Sequence, residues 1–306
     1  MTTLLVTGAA GNVGSAVVDA AIACGLTVTA GDRDPARLQD RWPQTVRIVR
    51  FDFNDASSWS EAMDGQSRLF LLRPPAIADV ANTLNPFADA ARASGVGHVV
   101  FLSVAGVERN RWVPHRAVED HLRNAAIPHT NLRPGFFAQN LGDAYRRDIV
   151  EDDRLYVPAG RGRVNWIDVR DIAETAAMIL QSPQAHRGQN YTLTGPGPQA
   201  WTAVAATLSE VCARPIRYVP ASIMGYVLHQ RRRGLPVAAV AVQTLLHVML
   251  RFGQGAKVAP TLERLLGRPG RSVHDYIREH ASLWNLQNGG KPVPPSSSAT
   301  KPFTDR

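Results

Sequence analysis

Three glycines, Gly8, Gly11 and Gly14, recur at three-residue spacing in TGAAGNVG, between the apolar stretch LLVTG and the helix-like SAVVDAAIACG. Glycine at these places permits a tight turn, lets backbone approach a phosphate, and allows a helix to lie close to a strand. Free amides and the dipole at such a helix start, around Asn12 and Val13, favour a bound pyrophosphate. The next apolar stretch, TVTAGD, ends in Asp32, where a carboxylate accepts hydrogen bonds from an adenosine ribose. Arg33 follows, and a guanidinium suits the additional phosphate of NADP instead, so the preference between NAD and NADP stays open. The third stretch ends in FDFND. Asp52 and Phe53 are expected where an adenine ring lodges, and Asp55 is placed to cap the helix SSWSEAM.

A dinucleotide that passes a hydride often works beside a proton donor, and RNRWVPHRAVEDHLRN, Arg109 to Asn124, is where one is expected. It holds four arginines and two histidines but neither tyrosine nor lysine. Arginine does not give up its proton near neutrality, whereas His115 can act as an acid there or hydrogen-bond a ribose. Its alternative role is that of a helix-start residue behind Pro114. Ser103, at the end of HVVFLS, offers a hydroxyl to a substrate carbonyl beside the cofactor, or satisfies nearby backbone. Phe136, Phe137, Tyr156 and Trp166 supply aromatic faces for a flat substrate, though such spacings also suit ordinary core. Gln139 and Asn140 stand at the mouth of the following helix. Asp168 and Asp171, in WIDVRDIAE, read as turn and helix-cap residues rather than a catalytic pair.

The elements that must position these residues alternate. LLVTG, TVTAGD, VRIVRFD, SRLFLLRPP, HVVFLSVAG and HTNLRP are short and apolar, and helix-like segments such as NPFADAARASG and RAVEDHLRNAA separate them. This rhythm predicts an α/β chain: a Rossmann doubly wound parallel sheet, followed by a smaller, mainly helical C-terminal lobe. The dinucleotide-binding domain is expected over 1–134 plus 164–194, with YTLTG returning as an edge strand that carries Tyr191. The lobe is expected over 135–163 plus 195–286. Within it, Leu235–Leu250 reads as a buried helix, too short to span a bilayer at the roughly 20 residues required. Residues 287–306, rich in Pro, Gly and Ser, are expected to be disordered.

Composition narrows the partners. An apolar share of 44% over 306 residues can bury a core plus a smaller lobe. Cys24 and Cys212 have no ligand-spaced neighbours, so no disulfide framework and no metal site is indicated, and with no export signal visible a reducing, cytoplasmic setting is expected. The net charge of +8 comes from scattered arginines. Their one run, Arg231–Arg233, suits a helix end. Neither a nucleic-acid nor a membrane partner is expected.

TGAAGNVG, LLRPP, NLRPGFFAQNL, VNWIDVRDIAETAAMIL, YTLTGP and LLGRPGRSVHDYIREHASLW, in that order between Thr3 and Trp284, resemble the NmrA-like branch of atypical short-chain dehydrogenases. The resemblance is closest in pattern to its festuclavine dehydrogenase-like part. It implies a Rossmann domain binding NAD(P), with a lobe covering the nicotinamide. Gly8, Gly11, Asn12 and Val13 match the family's pyrophosphate turn, and Asp32 and Arg33 its ribose end. Leu72, Arg73 and Pro74, with Pro75, match its loop beside the cofactor, and Pro134 to Phe137 its segment near the nicotinamide. Active tyrosine-dependent relatives carry a tyrosine and a lysine four residues apart ahead of a helix glutamate resembled by Glu119. Counting back from Glu119 puts His115 at the lysine position and Arg111 at the tyrosine position. Two functions fit this loss. One is hydride transfer from NAD(P)H to an electron-poor acceptor of quinone or imine type, which needs little proton donation. The other is a non-catalytic, NAD(P)-sensing regulatory protein that acts through a protein partner. Either would be a monomer or a homodimer.

Overall fold

The computed structural model describes residues 2–285. Six apolar stretches become strands: β1 (Thr3–Thr7), β2 (Thr27–Asp32), β3 (Arg47–Arg50), β4 (Arg68–Leu72), β5 (His98–Leu102) and β6 (His129–Pro134). Five short strands lie among the later elements: β7 (Phe136–Phe137), β8 (Arg154–Val157), β9 (Arg163–Val164), β10 (Trp166–Ile167) and β11 (Asn190–Leu193), with β12 (Gln199–Ala200) and β13 (Arg217–Pro220) beyond them. One seven-stranded sheet, ordered β11-β6-β5-β4-β1-β2-β3, is parallel throughout. The chain builds outward from β1 in one direction, then restarts at β4 in the other. Ligands of such sheets bind outside the carboxyl ends of the strands at that reversal, here between β1 and β4.

Both faces of the sheet are covered, which is why β1 and β5 are apolar along nearly their whole length. Helices α1 (Asn12–Ala23) and α6 (Val169–Gln181) cover one face, with Val13, Val17, Ala21, Ile172, Ala176 and Ile179 in a single buried cluster. Helices α2 (Trp59–Met63), α3 (Leu84–Ala93) and α4 (Pro114–Asn124) cover the other, packing Met63, Phe87, Ala91, Val118 and Leu122 against the strands. A third cluster around Tyr145, Trp166, Trp201, Tyr226, Ile277 and Trp284 holds the lobe together. It draws on α5 (Arg146–Glu151), α7 (Trp201–Cys212), α8 (Ile223–Arg232), α9 (Val237–Leu250) and α11 (Val273–Glu279), whereas α10 (Thr261–Leu266) packs Leu262 into the cluster of α1 and α6. The carboxylates of Asp171 and Glu174 on α6 each pair with Arg268 and Arg271, fastening the α10–α11 connection to the sheet domain.

Several local expectations are met. Asp55 caps its turn by accepting from Ser57 N at 3.1 Å, and Asp168 caps α6 by accepting from Arg170 N at 2.8 Å. Arg231 and Arg232 lie in the last turn of α8. One expectation fails: α9 is not a buried helix. Only Val240, Thr244, His247 and Leu250 turn inward, while Val242, Leu245 and Leu246 are 58%, 62% and 55% exposed. The polar Thr244 and His247 are on the side that meets the lobe, the reverse of the usual pattern. The tail 287–306 lies outside the described residues.

Candidate active site

The first turn is built for an anion. Gly8 adopts φ +67°, a left-handed conformation, and Leu72 from β4 packs over it at 3.2 Å from where a Cβ would stand. At Gly14 a Cβ would meet the Gly8 carbonyl oxygen at 2.1 Å, so only glycine lets α1 press against the turn. Gly11 differs, because its Cβ would stand 3.4 Å from that same oxygen, an ordinary contact. Apart from its chain neighbours, no other atom among the described residues comes within 4 Å of that Cβ position, so the space over Gly11 is open. The helical ladder begins with Ser15 N donating to Gly11 O, which leaves the amides of Asn12, Val13 and Gly14 ahead of it. Gly11 supplies no side-chain cap and no acid sits in the first turn. These features fit the pyrophosphate of a dinucleotide.

At the ribose end, Asp32 ties the turn to β2, accepting from Ala10 N at 3.3 Å and from Asp34 N at 3.2 Å. Its carboxylate is thereby fixed beside the turn, with Arg33 exposed next to it. Asp52 is held in its own turn, accepting from Asn54 N at 2.9 Å, while its carbonyl accepts from the indole of Trp59. Phe53 departs from expectation. Its ring is buried against Phe51 and Phe87, with centroids 4.8 and 5.4 Å away, so it offers no face to an adenine.

At the other end of the crevice, Arg73 follows β4 and His115 opens α4. Arg73 Nε donates to His115 Nε2 at 3.3 Å, and the same guanidinium donates to the carbonyls of Pro74, Pro75 and Ile77. Burial, then the charge of Arg73, holds the imidazole's pKa down to about 4. His115 is consequently neutral near pH 7 and is not the near-neutral acid that its residue type suggested. With Nε2 accepting, Nδ1 carries the hydrogen, and Nδ1 is buried with no partner among the described residues. The hydroxyl of Ser103, just beyond β5, is likewise buried and unpartnered. They are two of twelve such side-chain atoms among the described residues, and these two belong to the residues singled out from sequence for chemistry. Arg111 is exposed, its guanidinium lying over Trp112 at 5.2 Å. Glu119 is spent structurally, receiving Arg133 Nε at 3.0 Å and Nη2 at 2.5 Å.

Residues 8–183 match the family described as NAD(P)H-binding. Over 287 residues the chain is 30% identical to an NAD(P)H azoreductase of Xenophilus azovorans, covering 92% of this chain and 99% of that one. The chain belongs to the NAD(P)H-binding family. An agroclavine dehydrogenase of Claviceps fusiformis is 28% identical over 297 residues, covering 94% and 100% of the two chains. In fold, the chain is similar to the NADPH-dependent quinone oxidoreductase of Escherichia coli solved with NADPH, at a TM-score of 0.80 and 23% identity, covering 91% and 99%. The cofactor of this chain is NAD(P).

The remaining expected residues divide. Pro134 ends β6, and its carbonyl accepts from Ala105 N at 3.0 Å, which joins the loop after β5 to the loop after β6. Phe136 and Phe137 are half-buried, and Phe136 meets Trp166 edge-on at 5.0 Å. Trp166 is 1% exposed and acts as core, though its indole nitrogen and that of Trp201 have no partner among the described residues. Tyr156 lies apart in the lobe, under Arg154 at 4.4 Å and against His229 at 5.1 Å. Gln139 is fully engaged at the start of α6, donating to Asp168 at 3.0 Å and accepting from Val169 N at 3.1 Å. It caps α6 rather than the turn it sits in.

Other contributors have no signal in the sequence. Asp143 accepts from the Asn12 side chain at 2.5 Å, placing a carboxyl, its pKa raised by burial, beside the phosphate turn. His247 on α9 accepts from the Tyr145 hydroxyl at 2.5 Å and donates to Gln243 O at 2.6 Å, under Phe136. A cavity of about 250 Å³ lined by Thr194, Pro196, Val258 and Leu262 lies beyond the edge strand β11, not in the crevice between β1 and β4. Asp148, Asp152 and His229 converge at ligand spacing, but Arg233 already pairs with both carboxylates at 2.8 Å.

Proposed function

We propose that this chain is an NAD(P)H-dependent reductase of electron-poor acceptors of quinone, azo or iminium type. The observation that carries the reading is that two neutral, unpartnered hydrogen-bond donors, Ser103 Oγ after β5 and His115 Nδ1 at the lysine position, stand in a site whose tyrosine position holds the exposed Arg111. Bound NAD(P)H supplies the hydride. The chain's own residues position and polarise: the turn from Gly8 to Gly14 takes the pyrophosphate, and Asp32 takes the ribose end. Arg73 fixes the His115 ring and its tautomer, and the two donors face charge that builds on the acceptor's oxygen or nitrogen. Final protonation comes from water. Phe136 and Phe137 border the acceptor, whereas Trp166 and Gln139 support that border from behind. The azoreductase at 30% identity agrees with an acceptor of this class.

Mixing the protein with NADH or NADPH and a panel of quinones, azo dyes and cyclic iminium ions, with absorbance followed at the nicotinamide band, tests the reading. Turnover that falls in a Ser103→Ala, His115→Ala variant supports it. Tight dinucleotide binding with no oxidation across the panel would favour the non-catalytic sensor instead.

A further inference from the structure

Helices α8 and α9 present an apolar surface that none of the described residues covers. Ile223, Met224 and Leu228 from α8 join Val237, Val242, Leu245 and Leu246 from α9, with Phe252 beyond, each between 47% and 75% exposed. On α9, Ala238, Ala241, Val242, Leu245, Leu246 and Met249 follow helical spacing as one stripe. The polar residues of α9 all turn away from it. Thr244 donates to Val240 O, His247 is bonded to Tyr145, and Gln243 Oε1 accepts from Tyr226. The outward face of this helix therefore has no hydrogen-bonding side chain.

Charge surrounds this surface on one side only. From Val211 to Leu262 the sequence has seven basic residues and no aspartate or glutamate. Arg214 pairs with Asp153, and Arg233 with Asp148 and Asp152. The other five, Arg217, Arg231, Arg232, Arg251 and Lys257, form no ion pair among the described residues. Arg231 and Arg232 precede α9 and the exposed Lys257 follows it, while Arg251 at its end turns its guanidinium onto the carbonyls of Pro158 and Ala221, so cations without a carboxylate partner stand at both ends of the apolar stripe.

We infer that this face docks peripherally on an anionic lipid surface. An aliphatic stripe with cations at its ends matches the boundary between acyl chains and acidic headgroups, which draws in Lys and Arg. A second copy of the chain would set like charges against each other. A protein partner forms about one hydrogen bond per 100–200 Å² of interface, and the α9 face can offer none from its side chains. The chain lies on the bilayer rather than crossing it. At 14 residues α9 is about 21 Å long against a hydrocarbon core of about 30 Å, and the next helical stretch turns away by 72°.

The test uses the full chain, sedimented with vesicles of phosphatidylcholine alone or of phosphatidylcholine with phosphatidylglycerol. Binding is expected only with the anionic vesicles, and is expected to fade as salt rises. Leu245→Asp with Leu246→Asp should cut partitioning at least about tenfold, and Arg231→Glu with Arg232→Glu should do the same. NADPH binding should be unchanged in both. The arginine pair is exposed and keeps the test open if the leucine pair fails to fold. No binding to anionic vesicles at low salt, or variants that bind as the parent does, would overturn the inference. So would a dimer in light scattering that the leucine pair splits without any vesicle binding.

Discussion

Gly11 and Gly14 share a motif, yet the structure assigns them different work, and two substitutions separate it. An alanine at position 14 would place Cβ 2.1 Å from the Gly8 oxygen, 2.7 Å from its carbon and 3.0 Å from the Ala9 Cα. Carbon–oxygen contacts rarely close below about 3.3 Å, so α1 must retreat by roughly 1 Å or the turn must open. Overpacking of this kind costs about 1–3 kcal/mol, and the helix propensity of alanine returns up to about 1. A net loss of about 1–2 kcal/mol lowers Tm by roughly 2–8 °C in a chain of this size. Gly11→Val is the converse. Its φ of −84° and ψ of 168° suit a β-branched residue, and the site has room within the protein. Valine there should leave Tm within about 2 °C of the parent while blocking the approach of the pyrophosphate, weakening NADPH by at least about a hundredfold. Melting curves with and without NADPH, together with calorimetry, read both effects. A Gly11→Val protein that still binds NADPH and gains Tm from it would refute the assignment of the turn. A Gly14→Ala protein that melts and binds as the parent does would refute the packing argument.

Asp32→Ala should weaken NADH more than NADPH in calorimetry, beyond a smaller loss common to both from freeing the Ala10 and Asp34 amides; equal losses would remove Asp32 from the ribose. His115→Ala should lower kcat with quinones by about 10–100-fold without moving the pH–rate profile between about pH 5.5 and 8, because a group at about 4 does not titrate there; loss of a limb in that window would contradict a neutral donor. Burial also holds His247 down to about 4, against 6.5 for a free imidazole. The unfolded chain then takes up a proton below pH 6.5 that the folded chain refuses until about 4, so stability falls as pH drops through that window, by up to about 3 kcal/mol from this residue. Melting of the parent and of His247→Gln from pH 7 to 4 should show the steeper decline in the parent, and parallel curves would dispose of the idea.

The sheet was legible because parallel strands buried on both faces are written as short apolar runs, and all six runs from LLVTG to HTNLRP became strands. The phosphate turn was legible for a similar reason, since the packing of Gly14 and the openness of Gly11 depend on residues within one strand–turn–helix unit. Phe53 was misjudged because a residue at a strand end can turn toward crevice or core, and Phe51 and Phe87 settle that from distant positions. α9 was misjudged because its polar residues, Gln243, Thr244 and His247, are spent on bonds within the lobe, so the usual reading of polar as outward is inverted. The contacts that tune the site, Arg73 with His115 and Asn12 with Asp143, join residues 42 and 131 positions apart. No local pattern encodes such pairs.

The protons available beside the nicotinamide bound the chemistry more tightly than the aromatic lining does. A ketone becomes an alkoxide as it accepts hydride, and an alkoxide needs an acid that an ionisable tyrosine beside a lysine can supply. His115 cannot take that part, because Arg73 and burial keep it neutral, and Arg111 points to solvent over Trp112. Quinones, iminium ions and azo groups spread or cancel the charge that hydride brings, so a neutral Nδ1–H and a serine hydroxyl are enough to polarise them. A guanidinium that holds the imidazole's tautomer therefore does more than fill space after β4. On the proposed reading it suits the site to acceptors that need hydrogen bonds rather than a proton, and a ketone panel that is turned over as fast as quinones would contradict it.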